Sequence, residues 1–172
     1  MLYTILLIIG FIGLIISLTM ATVYVTLMNL PTAKIEFYTD EKHSYLYNKL
    51  PKRATKGSAG FDIFLPRNIT IPAKSTTTID TNIKVKIPDG YVMNIYPRSS
   101  IGIKKQLMLA NTVGVIDSDF NDTIKLAIYN YGYDTVTLNA GERIAQAVTT
   151  RYITDGKEVH TVRDGGIGST GR

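Results

Sequence analysis

The sequence predicts an all-β domain, a sandwich or barrel of short strands, preceded by one N-terminal transmembrane α-helix. Three observations lead to this fold class. No Asp, Glu, Lys, Arg or His occurs between Met1 and Ala33 of the 172-residue chain. From Ile35 onward, apolar and polar residues alternate with a period of two, which is typical of strands with one buried face. Turn-forming residues, such as Pro88-Asp89-Gly90 and Asn139-Ala140-Gly141, separate the alternating runs, as in sandwiches and barrels.

The N-terminal apolar segment predicts a membrane anchor, which we assign to residues 1–30. The run from Tyr3 to Met28 exceeds the roughly 20 apolar residues that a helix needs to cross a bilayer. Its Ser and Thr hydroxyls can bond back to the preceding helical turn. A secretory signal peptide is disfavoured because no basic segment precedes the apolar run, and a buried globular helix is disfavoured by apolarity on all sides. A start at Met28 would instead leave a complete soluble domain.

Charge after the span predicts the orientation of the anchor. Six basic residues follow the apolar segment closely, and basic residues favour the cytoplasmic side of a membrane; they are Lys34, Lys42, Lys49, Lys52, Arg53 and Lys56. We therefore expect a single-pass membrane protein whose domain faces the cytoplasm.

The remaining residues divide into a β-domain, residues 31–160, and a Gly-rich tail, residues 161–172. No long amphipathic helix is visible after residue 34. The alternating runs predict inward-facing residues on at least four strands: Ile83, Val85 and Ile87; Tyr91, Met93 and Ile95; Ile124, Leu126 and Ile128; Val136 and Leu138. The tail is too rich in glycine to form a packed core by itself.

Composition limits the chemistry. The absence of Cys excludes disulfides, thiol nucleophiles and Cys-ligated zinc. Only His43 and His160 are present, in unrelated contexts, so acid–base chemistry near neutral pH falls to carboxylates. The net charge of +5 fits either an ordinary basic surface or a polyanionic ligand such as a nucleoside triphosphate. No Lys/Arg block is long enough for duplex DNA, and we expect no nucleic-acid partner.

Five segments differ from the strand background, and each alone is most simply a turn, a hairpin or a linker. In chain order they are Gly57-Ser58-Ala59-Gly60-Phe61-Asp62, Pro97-Arg98-Ser99-Ser100, Gly114-Val115-Ile116-Asp117-Ser118-Asp119-Phe120, Gly141-Glu142-Arg143-Ile144-Ala145-Gln146 and the tail from Asp164 to Arg172. Together, and in this order, they resemble the five motifs of the trimeric dUTPase family. The resemblance covers about residues 34–172.

The resemblance implies both a fold and a reaction. The fold is the dUTPase-like β-clip or jelly-roll barrel. The reaction is Mg²⁺-dependent hydrolysis of dUTP to dUMP and pyrophosphate by attack of water on the α-phosphorus, which limits dUTP and supplies dUMP for dTTP synthesis. The family is a homotrimer whose active sites are shared between subunits, with the tail of one chain closing over the site of another.

The resemblance also assigns roles to individual residues. Asp117 corresponds to the carboxylate that activates the attacking water, and Gln146 to the residue that helps hold that water. Asp62 matches an Asp near the water shell of the metal. The substrate-binding positions include Arg98 and Ser99 for the phosphates, Asn111 for the uracil edge and Phe120 for the deoxyribose. Ser100 and Val115 also belong to the substrate-binding set, as do Arg163, Ile167, Gly168, Ser169 and Thr170 in the tail.

The chemistry of these residue types agrees with the implied roles. The guanidinium of Arg98 offers a planar fork of donors that suits phosphate oxygens. Glycines in the tail let backbone N–H groups approach phosphates closely. An Asn side chain such as that of Asn111 carries a donor and an acceptor, which matches the O4 and N3–H edge of uracil. Mg²⁺ prefers oxygen ligands and usually retains several waters beside substrate phosphates.

Some positions depart from the family pattern. Phe120 stands where the family has Tyr, so the ring is kept and the hydroxyl is lost. Ile167 stands where a Phe usually covers the uracil ring, and the spacing from Arg163 to Ile167 is one residue shorter than in many members. Ser100 stands where Gly is common. We expect an intact site that closes more weakly over its substrate.

Two other functions compete with the hydrolase. A dCTP deaminase shares the fold, and Arg98-Ser99-Ser100 echoes one of its segments, but that reaction needs a Glu after the third motif, where residues 118–122 contain none. A non-catalytic interaction or signalling module would need neither Asp117 nor Gln146, and both are retained.

Overall fold

The computed structural model describes residues 1–28, 34–157 and 163. By its internal contacts the chain forms two compact units, Met1–Ala33 and Lys34–Arg172. Each unit is described by itself.

The described part of the first unit, residues 1–28, contains one helix, α1, which extends over Leu2–Met28. Its 27 residues give a length of about 40 Å at 1.5 Å per residue, more than the roughly 30 Å of a bilayer core. Four threonine hydroxyls donate to backbone carbonyls three or four residues earlier, as the sequence predicts: Thr4, Thr19, Thr22 and Thr26. Within the described part of the chain α1 alone is long and apolar enough to cross a membrane, although a signal sequence meets the same criteria.

The second unit is built from antiparallel strands, which confirms the all-β prediction. The strands are β1 (Glu36–Tyr38), β2 (Lys52–Arg53), β3 (Phe61–Phe64), β4 (Ile69–Ile71), β5 (Thr76–Asp80), β6 (Lys84–Lys86), β7 (Tyr91–Pro97), β8 (Leu107–Leu109), β9 (Gly114–Ile116), β10 (Lys125–Asn130), β11 (Val136–Leu138) and β12 (Arg143–Arg151). The largest sheet has the order β2-β3-β12-β7-β9, and smaller sheets pair β5-β10-β8, β1-β6 and β4-β11.

The core is formed by the apolar residues that alternate along these strands. In β10, for example, Leu126 and Ile128 are buried while Lys125 and Ala127 are only half-buried. Of the predicted inward-facing residues, Tyr91 and Val136 are partly buried and pack against the core, and the others are buried: Ile83, Val85, Ile87, Met93, Ile95, Ile124, Leu126, Ile128 and Leu138. The two predicted turns are present as well, with Gly90 at φ +78° and Gly141 at φ +83°, a backbone conformation that glycine adopts without steric cost.

Two short helices interrupt the strands at places where the sequence pattern gives no helical signal. A 3₁₀ helix extends over Glu41–Lys49 and is capped by Asp40, whose side chain accepts from the backbone N–H of His43. Helix α2 extends over Ser99–Lys105 and begins inside the segment that the sequence presents as a turn. Seven residues with Gly102 among them are too few for a helical periodicity to appear.

An ion pair joins α2 to the turn before β12. The Nζ of Lys105 donates to Oε2 of Glu142 at 2.6 Å. The other carboxylate oxygen of Glu142 accepts from the backbone N–H of Asn139 at 2.8 Å. The hydrogen bond from Lys105, followed by that from Asn139, lowers the pKa of Glu142 below its usual value. The pair fixes the segment after Arg98 against the segment before Arg143.

We expect Glu142→Gln to lower stability at neutral pH by about 1 kcal/mol, since a charge-assisted hydrogen bond is replaced by a neutral one. The pKa of Glu142 is lower in the folded state than in the unfolded state. The ion pair therefore adds fully to the free energy of unfolding at pH values above the unfolded-state pKa, and this stabilisation is lost as pH falls through the folded-state pKa. Urea unfolding of wild type and variant at several pH values, at one fixed protein concentration, measures the difference.

The matched control is Glu41→Gln, at an exposed position, which should change stability little at any pH. A Glu142→Gln effect of equal size at neutral and acidic pH would contradict the assignment to the ionised pair.

Candidate active site

A polar cavity of about 330 Å³ lies where three strands of the largest sheet meet the loop before β3. The register brings its residues together, because Gln146 on β12 is opposite Asp62 on β3 and opposite Tyr96 on β7. The polar side chains of the lining belong to Ser58, Asp62, Tyr96, Arg98, Ser99 and Gln146. The structure thus assembles four of the predicted site residues in one cavity, and Ser100 follows in the first turn of α2.

Asp62 lies between two arginines in this region. Its Oδ1 is 3.1 Å from Nε of Arg98, and its Oδ2 is 3.1 Å from Nη1 of Arg143. Asp62 is only 7% exposed, and a buried carboxylate is tolerated when opposite charges and hydrogen bonds compensate for lost solvation. The three residues together carry one net positive charge, which suits an anionic ligand.

Arg143 is a residue that sequence reasoning missed. In the sequence, Arg143 is most simply part of a turn, Gly141–Gln146, that leads into a strand. Its partner Asp62 is 81 residues away in the chain. The only signal in the sequence is an arginine three residues before Gln146, the predicted water-holding residue.

A close contact between Gly60 and Gln146 positions the amide in the cavity. A Cβ added to Gly60 would lie 2.9 Å from Oε1 and 3.2 Å from Cβ of Gln146. A side chain at position 60 would therefore displace the amide of Gln146 from this position and crowd its Cβ. The glycine in the segment before β3 therefore permits the Gln146 side chain to lie against the loop.

A second group of predicted residues lies on β9 and the turns that flank it. Asn111 and Val115 are exposed, whereas Phe120 is 8% exposed and belongs to the hydrophobic core. Between Asn111 and β9, Thr112 has φ +62°, an uncommon conformation for a β-branched residue. Backbone strain of this kind is often retained at functional sites, and here it occurs directly beside Asn111.

Asp117 belongs to this second group and is bonded to Arg163. The Nη2 of Arg163 pairs with Oδ2 of Asp117, and its Nε donates to Oδ1 of Asp119 at 2.8 Å. The side chains of Asp117 and Asp119 are about half exposed, while that of Arg163 is 13% exposed. Asp119 is the second residue that sequence reasoning missed, because an acid in a hairpin is most simply a solvated charge.

Asp117 lies far from the cavity within one chain. Ile116 on β9 pairs with Met93 on β7, so Asp117 is level with Val92. Six residues separate Val92 from Arg98, which corresponds to about 20 Å along a strand. Accordingly, Asn111, Val115 and Asp117 do not line the cavity that contains Arg98.

Four predicted site residues, Ile167, Gly168, Ser169 and Thr170, lie outside the described residues. Within the ranges that the structure describes, there is no cluster of three or more His, Cys, Asp or Glu side chains that could hold a metal ion.

Comparison with known proteins identifies the family. The family model described as dUTPase matches residues 47–171. The deoxyuridine 5'-triphosphate nucleotidohydrolase of Finegoldia magna is 38% identical over 132 residues, which cover 72% of this chain and 92% of that protein. The enzyme of the same name from Escherichia phage T5 is 41% identical over 137 residues, covering 71% of this chain and 91% of that protein.

The fold agrees with a solved structure of the same kind. The crystal structure of dUTPase from Streptococcus mutans superposes with a TM-score of 0.66 at 32% identity, covering 70% of this chain and 98% of that one. The family model begins after α1, and the matched regions cover 91–98% of these relatives. The chain belongs to the dUTPase family.

Proposed function

We propose that the chain is a dUTP diphosphatase, which hydrolyses dUTP to dUMP and pyrophosphate by attack of water on the α-phosphorus. The observation that carries the proposal is the cavity in which Asp62 holds Arg98 beside Ser99 and Gln146. The relatives named as deoxyuridine 5'-triphosphate nucleotidohydrolases and the family match supply the substrate.

Arg98 is suited to bind the phosphate chain. Its Nε forms an ion pair with Asp62, and its guanidinium makes no hydrogen bond with any of the described residues. The two terminal nitrogens therefore remain for phosphate oxygens, which match the planar fork. The exposed hydroxyl of Ser99 and the half-buried Ser100 add neutral donors next to it.

Asp117 accepts the proton of the attacking water in this proposal, and Gln146 orients the water. A half-exposed carboxylate such as Asp117 can receive a water molecule directly. Asn111 reads the uracil edge with its amide, and Val115 contacts the base. Phe120 supports the deoxyribose from below, since its ring is packed in the core and an added 2′-hydroxyl would meet an apolar surface without a partner.

Mg²⁺ fits this donor set as an ion bound mainly by substrate phosphates. Mg²⁺ commonly uses one or two carboxylates, several waters and phosphates, rather than a cage of protein ligands. Asp62 would contact its water shell, because a carboxylate has about four lone-pair sites and the two arginines use two of them. When bound, the ion would neutralise charge on the phosphates.

The distance between Arg98 and Asp117 supports a homotrimer with shared active sites. The roughly 20 Å along β7 between the levels of Arg98 and Asp117 is too long for both residues to act on one α-phosphorus from one chain. A neighbouring subunit can supply the missing group. In the same arrangement, the tail residues Arg163, Ile167, Gly168, Ser169 and Thr170 cover the phosphates, for which a Gly-rich backbone is suited. In this proposal, residues 31–160 form the catalytic β-clip domain and residues 161–172 form the tail that covers the phosphates.

We further propose that residues 1–30 anchor the enzyme in a membrane as a single-pass helix, with the catalytic domain in the cytoplasm. The length of α1 and the backbone bonds of its threonines support the anchor, because polar groups in hydrocarbon must be satisfied within the segment. The basic residues after it support the orientation.

The substrate prediction is tested by pyrophosphate release with Mg²⁺ from dUTP, dCTP, dTTP and UTP offered separately. We expect release from dUTP alone. Asp117→Asn should lower kcat by at least about 10²-fold, the usual contribution of a general base, while leaving dUTP binding largely intact. Release from dCTP together with ammonia would instead indicate a deaminase, and binding of dUTP without turnover in the wild type would indicate a non-catalytic module.

Arg143→Gln tests whether the second arginine stabilises the Asp62–Arg98 pair. Without Arg143, one oxygen of a buried carboxylate loses its charged partner and Asp62 can turn away from Arg98. We expect a loss of about 1–2 kcal/mol in the free energy of unfolding and a roughly fivefold rise in KM for dUTP, equivalent to about 1 kcal/mol. Arg67→Gln, at an exposed position, is the matched control. An unchanged KM in Arg143→Gln would remove Arg143 from the site.

The anchor is tested by expressing the full chain in a bacterial host. We expect the protein to stay with membranes after alkaline carbonate extraction, at its full mass, and to resist protease added to intact spheroplasts. A shorter chain that has lost its N-terminus would indicate a signal peptide, and digestion of the domain from outside would reverse the orientation.

A further inference from the structure

The turn after β9 carries two carboxylates, of which the proposed reaction uses only one. The backbone carbonyl of Asp117 accepts from the N–H of Phe120 at 3.2 Å, so residues 117–120 form a tight turn. Phe120 is anchored in the core, which fixes the turn to the sheet. Asp119 has no part in water activation or in base and sugar recognition.

Arg163 spans both carboxylates with one edge of its guanidinium. Nε and Nη2 lie on the same edge of the planar fork, and they contact Asp119 and Asp117 respectively. The third nitrogen, Nη1, makes no hydrogen bond with any residue that the structure describes. One edge of the guanidinium is therefore held by these two carboxylates, and no described residue occupies the remaining nitrogen.

Both carboxylates stabilise the charged form of Arg163. Burial, the largest single influence, lowers the pKa of Arg163, but the hydrogen bond and charge of Asp119, followed by those of Asp117, outweigh it and leave the pKa raised. The guanidinium is thus held in its charged form in a position that is 13% exposed. Of the two carboxylates, only Asp117 has a task in the reaction that requires its oxygens to be accessible to water.

We propose that Asp119 is a positioning residue for Arg163. It holds Nε so that the terminal nitrogens are directed to the phosphate chain, and a phosphate oxygen replaces Asp117 on Nη2 when nucleotide binds. Asp117 is thereby released to its water at the moment the substrate is in place. This inference rests on the proposed function, because it assigns Arg163 to the phosphates of dUTP.

The role predicts a phosphate-dependent defect. In Asp119→Asn, a neutral amide oxygen replaces the charged acceptor, and charge-assisted hydrogen bonds are worth about twice neutral ones. We expect kcat/KM for dUTP to fall roughly tenfold. Binding of dUMP, which lacks the β- and γ-phosphates, should stay within about a factor of two, inside the usual scatter of surface substitutions.

A double-mutant cycle separates positioning from a structural role. The four full-length proteins, in detergent, are wild type, Asp119→Asn, Arg163→Gln and the double variant. If Asp119 acts only through Arg163, Asp119→Asn should not change kcat/KM in the Arg163→Gln background. The interaction energy between the two residues then equals the whole effect of Asp119→Asn in the wild-type background. Asp122→Asn is the matched control, since Asp122 pairs with Lys125 instead, and it should leave turnover unchanged.

Two results would overturn the proposal: an unchanged kcat/KM in Asp119→Asn, or a full-size Asp119→Asn defect in the Arg163→Gln background. The affinity of the same four proteins for inorganic pyrophosphate, measured by calorimetry, gives the interaction energy between Asp119 and Arg163 without any turnover of substrate. Failure of wild type to hydrolyse dUTP would therefore refute the proposed function, while the pyrophosphate cycle would still decide whether Asp119 positions Arg163.

Discussion

Backbone hydrogen bonds along both edges of β7 fix the position of the polar groups on which the site depends. On one edge, pairing with β12 sets Gln146 opposite Tyr96, next to the end of the strand where Arg98 begins the loop into α2. On the other edge, pairing with β9 sets Asp117 near the start of the same strand. Because side chains alternate along a strand, a register shift of one residue would turn each set to the opposite face. The burial of Met93 and Ile95 makes such a shift costly.

The charges at the cavity follow from the low exposure of Asp62. A carboxylate that is largely removed from water must be compensated, and Arg98 and Arg143 provide this from two different segments. The ion pair between Lys105 and Glu142 holds those two segments together from the other side. The positions of Arg98 and Arg143 around Asp62 therefore depend on the packing of α2. Both also depend on the sheet that carries Asp62. The ion pair with Asp62 fixes the side chain of Arg98, and a side chain that is already fixed loses less entropy when it binds a ligand.

The sequence predicted the parts of this structure that have a local signal. Alternation predicted β6, β7, β10 and β11 because each has a buried face, and the turns at Gly90 and Gly141 followed from residues that tolerate a positive φ. The 3₁₀ helix and α2 were missed, since both are too short for periodicity and are held by contacts such as the buried Leu46 and the Lys105 ion pair. The roles of Arg143 and Asp119 were missed for a related reason: their partners are 81 and 44 residues away in the chain, and nothing local distinguishes them from solvated charges.

The separation of Arg98 and Asp117 along β7 has a genetic consequence. If each site takes its phosphate-binding arginine from one chain and its carboxylate from another, a chain that has lost one of these groups still contributes the other. Two defective copies with lesions in different groups can then restore some functional sites when they assemble together. A single defective copy, in contrast, damages sites that it shares with intact neighbours. Selection on such a protein acts on the assembly rather than on the individual chain.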